Sequence, residues 1–351
     1  MMEIYTAPGK EREFMKLIKS IIYAGGLLAG LLIYVVSKRT VGFAYQSMIH
    51  MFCITKGRSN DLLSAAIGLI KTPYDFGKAN GVLGNMAGQE RESVVSNLRN
   101  QGYHVFDAKL PEDVCNRLLA FALSHPSTTY PMDGEGPEKV RRVVYPRANP
   151  EAVRYDFVQQ DVLENNDVQS LLADMSFPAV AQDYLGARPV IDVLDMWWNT
   201  GYLDKPDKVA AQYYHFDMDR PKWLKFFIYL TDVTADSGPH TFVAGSHKTN
   251  GIPSAMLKQG YARLSDDEVK SHYGQKNIVE FVAPRGTIIA EDTRGLHKGK
   301  HVKQGDRLIL QIQFSNCLFG GYYPKARLGE DLTEDLKVKT REFPELYSAY
   351  L

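Results

Sequence analysis

The sequence predicts a mainly β fold with flanking helices: an antiparallel sandwich or barrel preceded by an N-terminal helical segment. Three observations carry this expectation. After Gly186 the segments PVIDVLDMWWN, AQYYHFDMD, WLKFFIYLTDV, HTFVAG, NIVEFVA, GTIIAED and RLILQIQF read as strands, separated by Gly, Pro, Asp and Asn turns with no helices regularly interleaved. Before Gly186 most segments read as helices with recognisable starts and stops. The chain of 351 residues is long enough for one large domain or two average ones, and for an enclosed site.

Taken in order, the chain opens on a helical region over residues 1–90. Ser20 to Ser37 (SIIYAGGLLAGLLIYVVS) carries no charge and is flanked by Lys16 and Lys19 on one side and Lys38 and Arg39 on the other. Its length is at the lower limit for a membrane span. Gly26 and Gly30 have the spacing that lets helices approach closely. A membrane anchor, a membrane-surface helix and a helix docked on the enzyme or a partner all fit, and basic residues at both ends give no orientation. The mixed charges of KEREFMK and the lack of a small-residue cleavage site argue against a signal peptide. Residues 40 to about 90 read as two or three short helices.

The main domain is expected over 91–330. ERESVVSNLRNQGYHVF reads as a helix stopping near Gly102 and a strand, followed by a helix entered at Leu110-Pro111 with Glu112 and Asp113 in its first turn. Val168 to Leu185 reads as one helix stopped by Gly186. The strand-rich part follows, and residues 331–351 form a C-terminal tail.

Composition narrows the chemistry. Hydrophobic residues at 44% and charged residues at 23% exclude a largely disordered chain and a polytopic membrane protein. Lys plus Arg (41) balances Asp plus Glu (41), so nothing in the net charge calls for nucleic acid, and small-molecule chemistry is favoured. Cys53, Cys115 and Cys317 are far apart and leave one unpaired in any disulfide scheme, which fits a reducing, cytoplasmic compartment, with membrane association through residues 20–37 open.

Strand alternation turns the last segments into statements about faces. In Tyr213-Tyr214-His215-Phe216-Asp217 a period of two puts His215 and Asp217 on one side. Alone, that pair reads sooner as a hydrogen-bonded imidazole and carboxylate than as a metal site. Further on, GTIIAED leads to Gly295-Leu296-His297, and a loop delivers Arg307 to the start of RLILQIQF. There Arg307, Ile309, Gln311 and Gln313 share one face, while Leu308, Leu310, Ile312 and Phe314 share the other. The first face should line a polar cavity, because a buried arginine needs a partner. Two histidines and one carboxylate are a ligand set for Fe(II) that leaves coordination positions open, and a guanidinium fork grips a carboxylate through two charge-assisted hydrogen bonds.

The run H-F-D, then WLKFFIYLTDVTADSGPHTFVAGSH, then GLHKG and an arginine ten positions after that histidine resembles the phytanoyl-CoA dioxygenase family, a branch of the Fe(II)/2-oxoglutarate oxygenases. The resemblance covers about Val94 to Gly320 and includes NLRNQGYHVFDAKLPEDVCNRLL and YLGARPV; the first ninety residues lie outside it. It implies a double-stranded β-helix (jelly-roll, cupin-like) core. It implies iron held by His215, Asp217 and His297, with Arg307 on the distal carboxylate of 2-oxoglutarate. Lys225 falls where related enzymes put a polar cosubstrate contact; an edge-strand lysine in solvent is the other reading. Asn199 reads as a cosubstrate contact or a turn former, and His247 of G-S-H as structural. His301, in a polar loop beside Lys300 and Lys303, is the competing third ligand, and Asp219 the competing carboxylate. Asp217 argues against halogenation, since halogenating relatives replace that acid by a small residue. Trp197, Trp198, Tyr213, Trp223 and Tyr229 are candidates for the cavity wall.

The implied activity is that of an oxygenase using Fe(II), 2-oxoglutarate and O2 and releasing succinate and CO2, with hydroxylation of an unactivated C–H bond in a small-molecule or lipid-like substrate as the default outcome. A noncatalytic barrel serving as a binding or scaffold module is the alternative outside enzymes. A metal-dependent barrel enzyme that does not use 2-oxoglutarate, with Arg307 on the substrate's own carboxylate, is the alternative within them. Substrate identity and oligomeric state are not set by these residues.

Overall fold

The structure, a computed structural model, describes residues 8–132, 134–257, 263–321 and 326–351. Among them, helices α1 (Pro8–Ser37), α2 (Gly42–Thr55) and α3 (Arg58–Ile70) come first. A short hairpin, β1 (Asn80–Gly81) and β2 (Gly84–Asn85), leads to α4 (Gln89–Gln101), β3 (Tyr103–Lys109) and α5 (Glu112–Ser124). Strands β4 (Pro126–Thr129), β5 (Arg142–Val144) and β6 (Arg154–Asp156) precede α6 (Gln159–Leu163), α7 (Asn166–Ala173) and α8 (Ser176–Leu185). Then come β7 (Val190–Thr200), β8 (Trp223–Tyr229), β9 (His240–Val243), α9 (Ser254–Leu257), α10 (Asp266–Tyr273), β10 (Ile278–Glu280), β11 (Thr287–Glu291), β12 (His297–Gly299), β13 (Asp306–Ser315) and α11 (Glu334–Glu342).

Two antiparallel sheets make the jelly-roll core. The larger runs β3-β11-β8-β13-β7-β6-β4-β5, and the smaller β10-β9-β12. The smaller sheet is extended by single bridges, His215 to His297 and Tyr214 to Leu264. In the large sheet the registers align residues in rows across four strands. Glu291, Lys225, Gln313 and Val193 make one row, and Ile289, Phe227, Gln311 and Asp195 the next. Arg307 stands opposite Asn199 beyond them. The alternate face is apolar: Phe226, Ile228, Ile288, Leu308, Leu310, Ile312 and Phe314 belong to the main core, with Phe177 of α8 and Leu98 of α4. Period-two alternation thus separates a polar inner wall from a hydrophobic outer face covered by helices.

Several local expectations change. AQYYHFDMD is not a regular strand; isolated bridges and single backbone hydrogen bonds, such as Asp217 N–H to the Thr293 carbonyl, tie it to its neighbours. Val168 to Leu185 is broken into α7 and α8, because Pro178 suits only a first turn and Asp174 starts the new helix by accepting hydrogen bonds from the Ser176 N–H and hydroxyl at 2.8 and 2.7 Å. The short strands β4, β5, β6 and β12 carry too few residues to show a period. Near the C-terminus, Leu336, Phe343, Leu346, Tyr347 and Tyr350 are buried in the main core. All three cysteines are free thiols.

Candidate metal and cosubstrate site

The extended segment after Gln212 and the start of β12 meet at one bridge, in which His215 N–H donates to the His297 carbonyl at 3.0 Å and His297 N–H to the His215 carbonyl at 2.9 Å. That pairing places the two imidazole rings 4.3 Å apart. Each ring is fixed by its own backbone: His215 Nδ1–H donates to the Tyr213 carbonyl at 2.9 Å, and His297 Nδ1–H to the Gly295 carbonyl at 3.0 Å. Both Nε2 atoms are thereby left free of the backbone as the ligand-capable nitrogens, and both face Asp217, at 3.7 Å from Oδ1 for His215 and 3.5 Å from Oδ2 for His297. The three donor atoms lie within 4.8 Å of one another, a span that suits one ion.

Charge around this triad is arranged from the large sheet. Lys225 Nζ lies 2.6 Å from Asp217 Oδ2 and 3.1 Å from Asp219 Oδ2, and it is buried on a central strand, not at a solvent-exposed edge. Two of its three donors are thus engaged, leaving one for another partner. Burial opposes ionisation of Asp217, yet Lys225 and the histidines outweigh it and hold the carboxyl well below its usual range. Burial and the nearby His297 push His215 well below the ordinary imidazole value. Burial opposes a proton on His297, yet Asp217 outweighs it and raises His297 above the ordinary imidazole value. A buried carboxylate faced by two imidazole Nε2 atoms is the donor set a divalent cation satisfies.

Arg307 enters the same cavity. It is 2% exposed; Nη2 donates to Asn199 Oδ1 at 2.8 Å, while Nε and Nη1 are buried with no partner among the described residues. Burial lowers its pKa to about 10. Gly299 leaves room for the guanidinium, since a Cβ there would lie 2.8 Å from Nη2. Nη1 and the second hydrogen of Nη2 form the end-on guanidinium fork that matches a bidentate carboxylate in a closed site.

The cavity has a volume of about 330 Å³ and is lined by the triad, Arg307, Lys225 and Asn199 among others. Of the aromatic candidates only Trp197 reaches it. Trp198 packs into the core against Tyr145, Trp223 donates to Thr293 Oγ1, and Tyr229 donates to the Phe281 carbonyl. His247 meets the Arg99 carbonyl at 3.3 Å, away from the cavity, and His301 is not among the lining residues. Asp219 lines the cavity through its pairing with Lys225.

Sequence reasoning left out four groups. His240 lines the cavity, with Nε2 2.9 Å from Glu291 Oε1, and Glu291 is fully buried with Oε2 unpartnered among the described residues. Burial raises Glu291 to about 8 and pushes His240 well below its ordinary value, so the acid carries the proton and the imidazole accepts it. Arg154 stacks over Trp197 at 4.6 Å and pairs with Asp156 at 2.7 Å, and Arg263 lines the cavity with Nη1 unpartnered among the described residues. A carboxylate closing the otherwise apolar GTIIAE, and a histidine starting HTFV, were the available signals for the buried pair.

A family model described as phytanoyl-CoA dioxygenase (PhyH) matches residues 98–307. The chain belongs to the phytanoyl-CoA dioxygenase family. As such it is an iron- and 2-oxoglutarate-dependent oxygenase, with Fe(II) as cofactor and 2-oxoglutarate and O2 as cosubstrates. No curated protein matched. Among solved structures, similarity is found to the non-heme α-ketoglutarate-dependent epimerase SnoN from nogalamycin biosynthesis, at 18% identity and a TM-score of 0.46 over 64% of this chain and 82% of that one. EctD from S. alaskensis, solved with 2-oxoglutarate and 5-hydroxyectoine, is 18% identical with a TM-score of 0.44 over 70% and 79%. HygX from Streptomyces hygroscopicus, solved with nickel, 2-oxoglutarate and hygromycin B, is 14% identical with a TM-score of 0.43 over 72% and 94%.

Proposed function

We propose that this family member hydroxylates an unactivated C–H bond of a small-molecule or lipid-like substrate, with release of succinate and CO2. The observation that carries the reading is the meeting of His215, Asp217 and His297, from two distant stretches, beside a buried arginine with two nitrogens unpartnered among the described residues. In it the two Nε2 atoms and the Asp217 carboxylate hold the iron. Bound iron with 2-oxoglutarate supplies the activation of dioxygen. The chain's own residues supply position. The Tyr213 and Gly295 carbonyls fix the imidazole tautomers, Lys225 orients Asp217, and Asn199 braces Arg307. Arg307 grips the distal carboxylate of 2-oxoglutarate, and the free donor of Lys225 is available to the same cosubstrate. Trp197 and Phe227 wall the cavity and exclude water. Attachment to a membrane through residues 20–37 belongs to this reading and favours a lipid-like substrate.

The test is to incubate iron-loaded protein with 2-oxoglutarate and extracts of metabolites and lipids, following succinate and any mass gain of one oxygen. Both are expected, and both should vanish in Asp217→Ala. Substrate turnover without succinate would instead establish an enzyme that places Arg307 on its substrate.

A further inference from the structure

Helix α1 has two apolar faces, and only one is covered. On the covered side Tyr23 stacks on His50 with ring centroids 3.8 Å apart, and Tyr34 meets Phe319 edge-on at 5.5 Å. The Tyr34 hydroxyl accepts from Leu318 N–H at 3.2 Å. Gly26 and Gly30 make the close approach to α2: a Cβ would lie 2.6 Å from Ser47 Oγ at the first and 2.0 Å from Ala44 Cβ at the second. Contacts from Tyr23 to Tyr34 extend over roughly 17 Å of helix at 1.5 Å per residue. The middle of α1 therefore lies along the folded domain.

The other side is bare. Ile21, Ile22, Leu28, Leu32, Ile33 and Val36 recur at helical spacing and point outward, with Leu32 72% and Val36 86% exposed. Only 6% of the apolar stretch Leu17–Ser37 is buried. Helix α3, which also packs on α2, repeats the pattern with Leu62, Leu69 and Ile70 exposed. An outward face this apolar is unlike that of a soluble surface helix, which turns charge to water. The charged residues sit at the ends instead, where Lys19, Lys38 and Arg39 are exposed, as contact with anionic headgroups requires.

We propose that α1 lies in the plane of a lipid bilayer's surface without crossing it, its outward face in the acyl boundary and its glycine face on the enzyme. The proposal extends the membrane attachment in the functional reading and fixes its geometry. A spanning helix could not keep the domain packed against its middle. The face an interfacial helix ordinarily gives to water is here covered by α2. Because Phe52 of α2 stacks on Phe216, between His215 and Asp217, at 5.5 Å, the membrane-held layer abuts the metal-site segment directly.

Flotation of the full chain with phosphatidylcholine vesicles containing phosphatidylglycerol tests this. The wild type should rise with the vesicles and be released by alkaline carbonate. External protease should remove an N-terminal epitope and degrade the catalytic domain in intact vesicles. Leu28→Glu with Leu32→Glu should lose flotation while keeping Tm and succinate formation. Gly30→Leu should lower Tm by forcing α1 off α2. An epitope protected until detergent is added would show a spanning helix and overturn the proposal. So would an unchanged Tm in Gly30→Leu, continued flotation of the double variant, or a wild type that stays at the bottom of the gradient, as a dimer or otherwise. Succinate formation, measured on the same protein, is independent of flotation, so failure of the catalytic reading is seen separately.

Discussion

Arg307 is buried with two of its nitrogens unpartnered among the described residues, a condition that costs stability and that a bound carboxylate would relieve. Arg307→Met is therefore expected to leave the Tm of metal-free protein unchanged or raised. It should weaken 2-oxoglutarate binding by about 2 kcal/mol, roughly 30-fold, with metal content unaltered; calorimetric titration and metal analysis check both. The buried pair of Glu291 and His240 predicts a pH effect. With Glu291 raised to about 8, the folded state holds a proton that the unfolded chain releases near the ordinary carboxyl value. Its contribution is fully present below that value and is lost as pH rises toward 8. His240, held well below its ordinary value, works the other way, costing stability as pH falls through the unfolded imidazole range. Glu291→Gln should remove only this loss, seen as a flatter Tm profile between the ordinary carboxyl value and about pH 8. His215, Asp217, His297 and Arg307 were legible because each residue type carries its chemistry in a short pattern. His240 and Glu291 were not, because their pairing crosses from one sheet to the other.

At the level of elements, the clearest sequence signals were stops and alternation. Gly102 ends α4 at φ +91°, and Gly186 ends α8 at φ +69°, both where the sequence predicts a stop. Gly102 also has no room for a side chain, since a Cβ would lie 2.5 Å from His247 Nδ1 and 2.7 Å from Phe242 Cζ. Gly102→Ala should cost about 2 kcal/mol, a fall in Tm of roughly 3 °C in a thermal melt, through strain at α4 and pressure on the strand that pairs with His297. RLILQIQF was legible in full, since both of its faces are long enough to show a period of two. The segment holding His215 and Asp217 was misread as a regular strand. Its two ligand-type side chains converge through single bridges and a hydrogen bond from Asp217 N–H to the Thr293 carbonyl, which no local pattern encodes.

For the whole molecule, the family resemblance reached the catalytic core and stopped at the first ninety residues, where an uncharged run fits several fates. Only packing separates them, and it shows α1 docked along one face with the other bare. The proposed function rests at this scale on three side chains, His215, Asp217 and His297, being placed to share one ion. Binding of Fe(II) to the folded state alone should raise Tm, by about 2.7 kcal/mol of added stability at a hundredfold excess over Kd, and Asp217→Ala should show no such rise. The most direct measurement is an anaerobic optical titration with Fe(II) and 2-oxoglutarate. The wild type should develop a weak visible charge-transfer band that saturates at one iron per chain, with Asp217→Ala and His297→Ala giving none. A band of equal strength in either variant, or none in wild type with iron bound, would contradict a shared site at His215, Asp217 and His297.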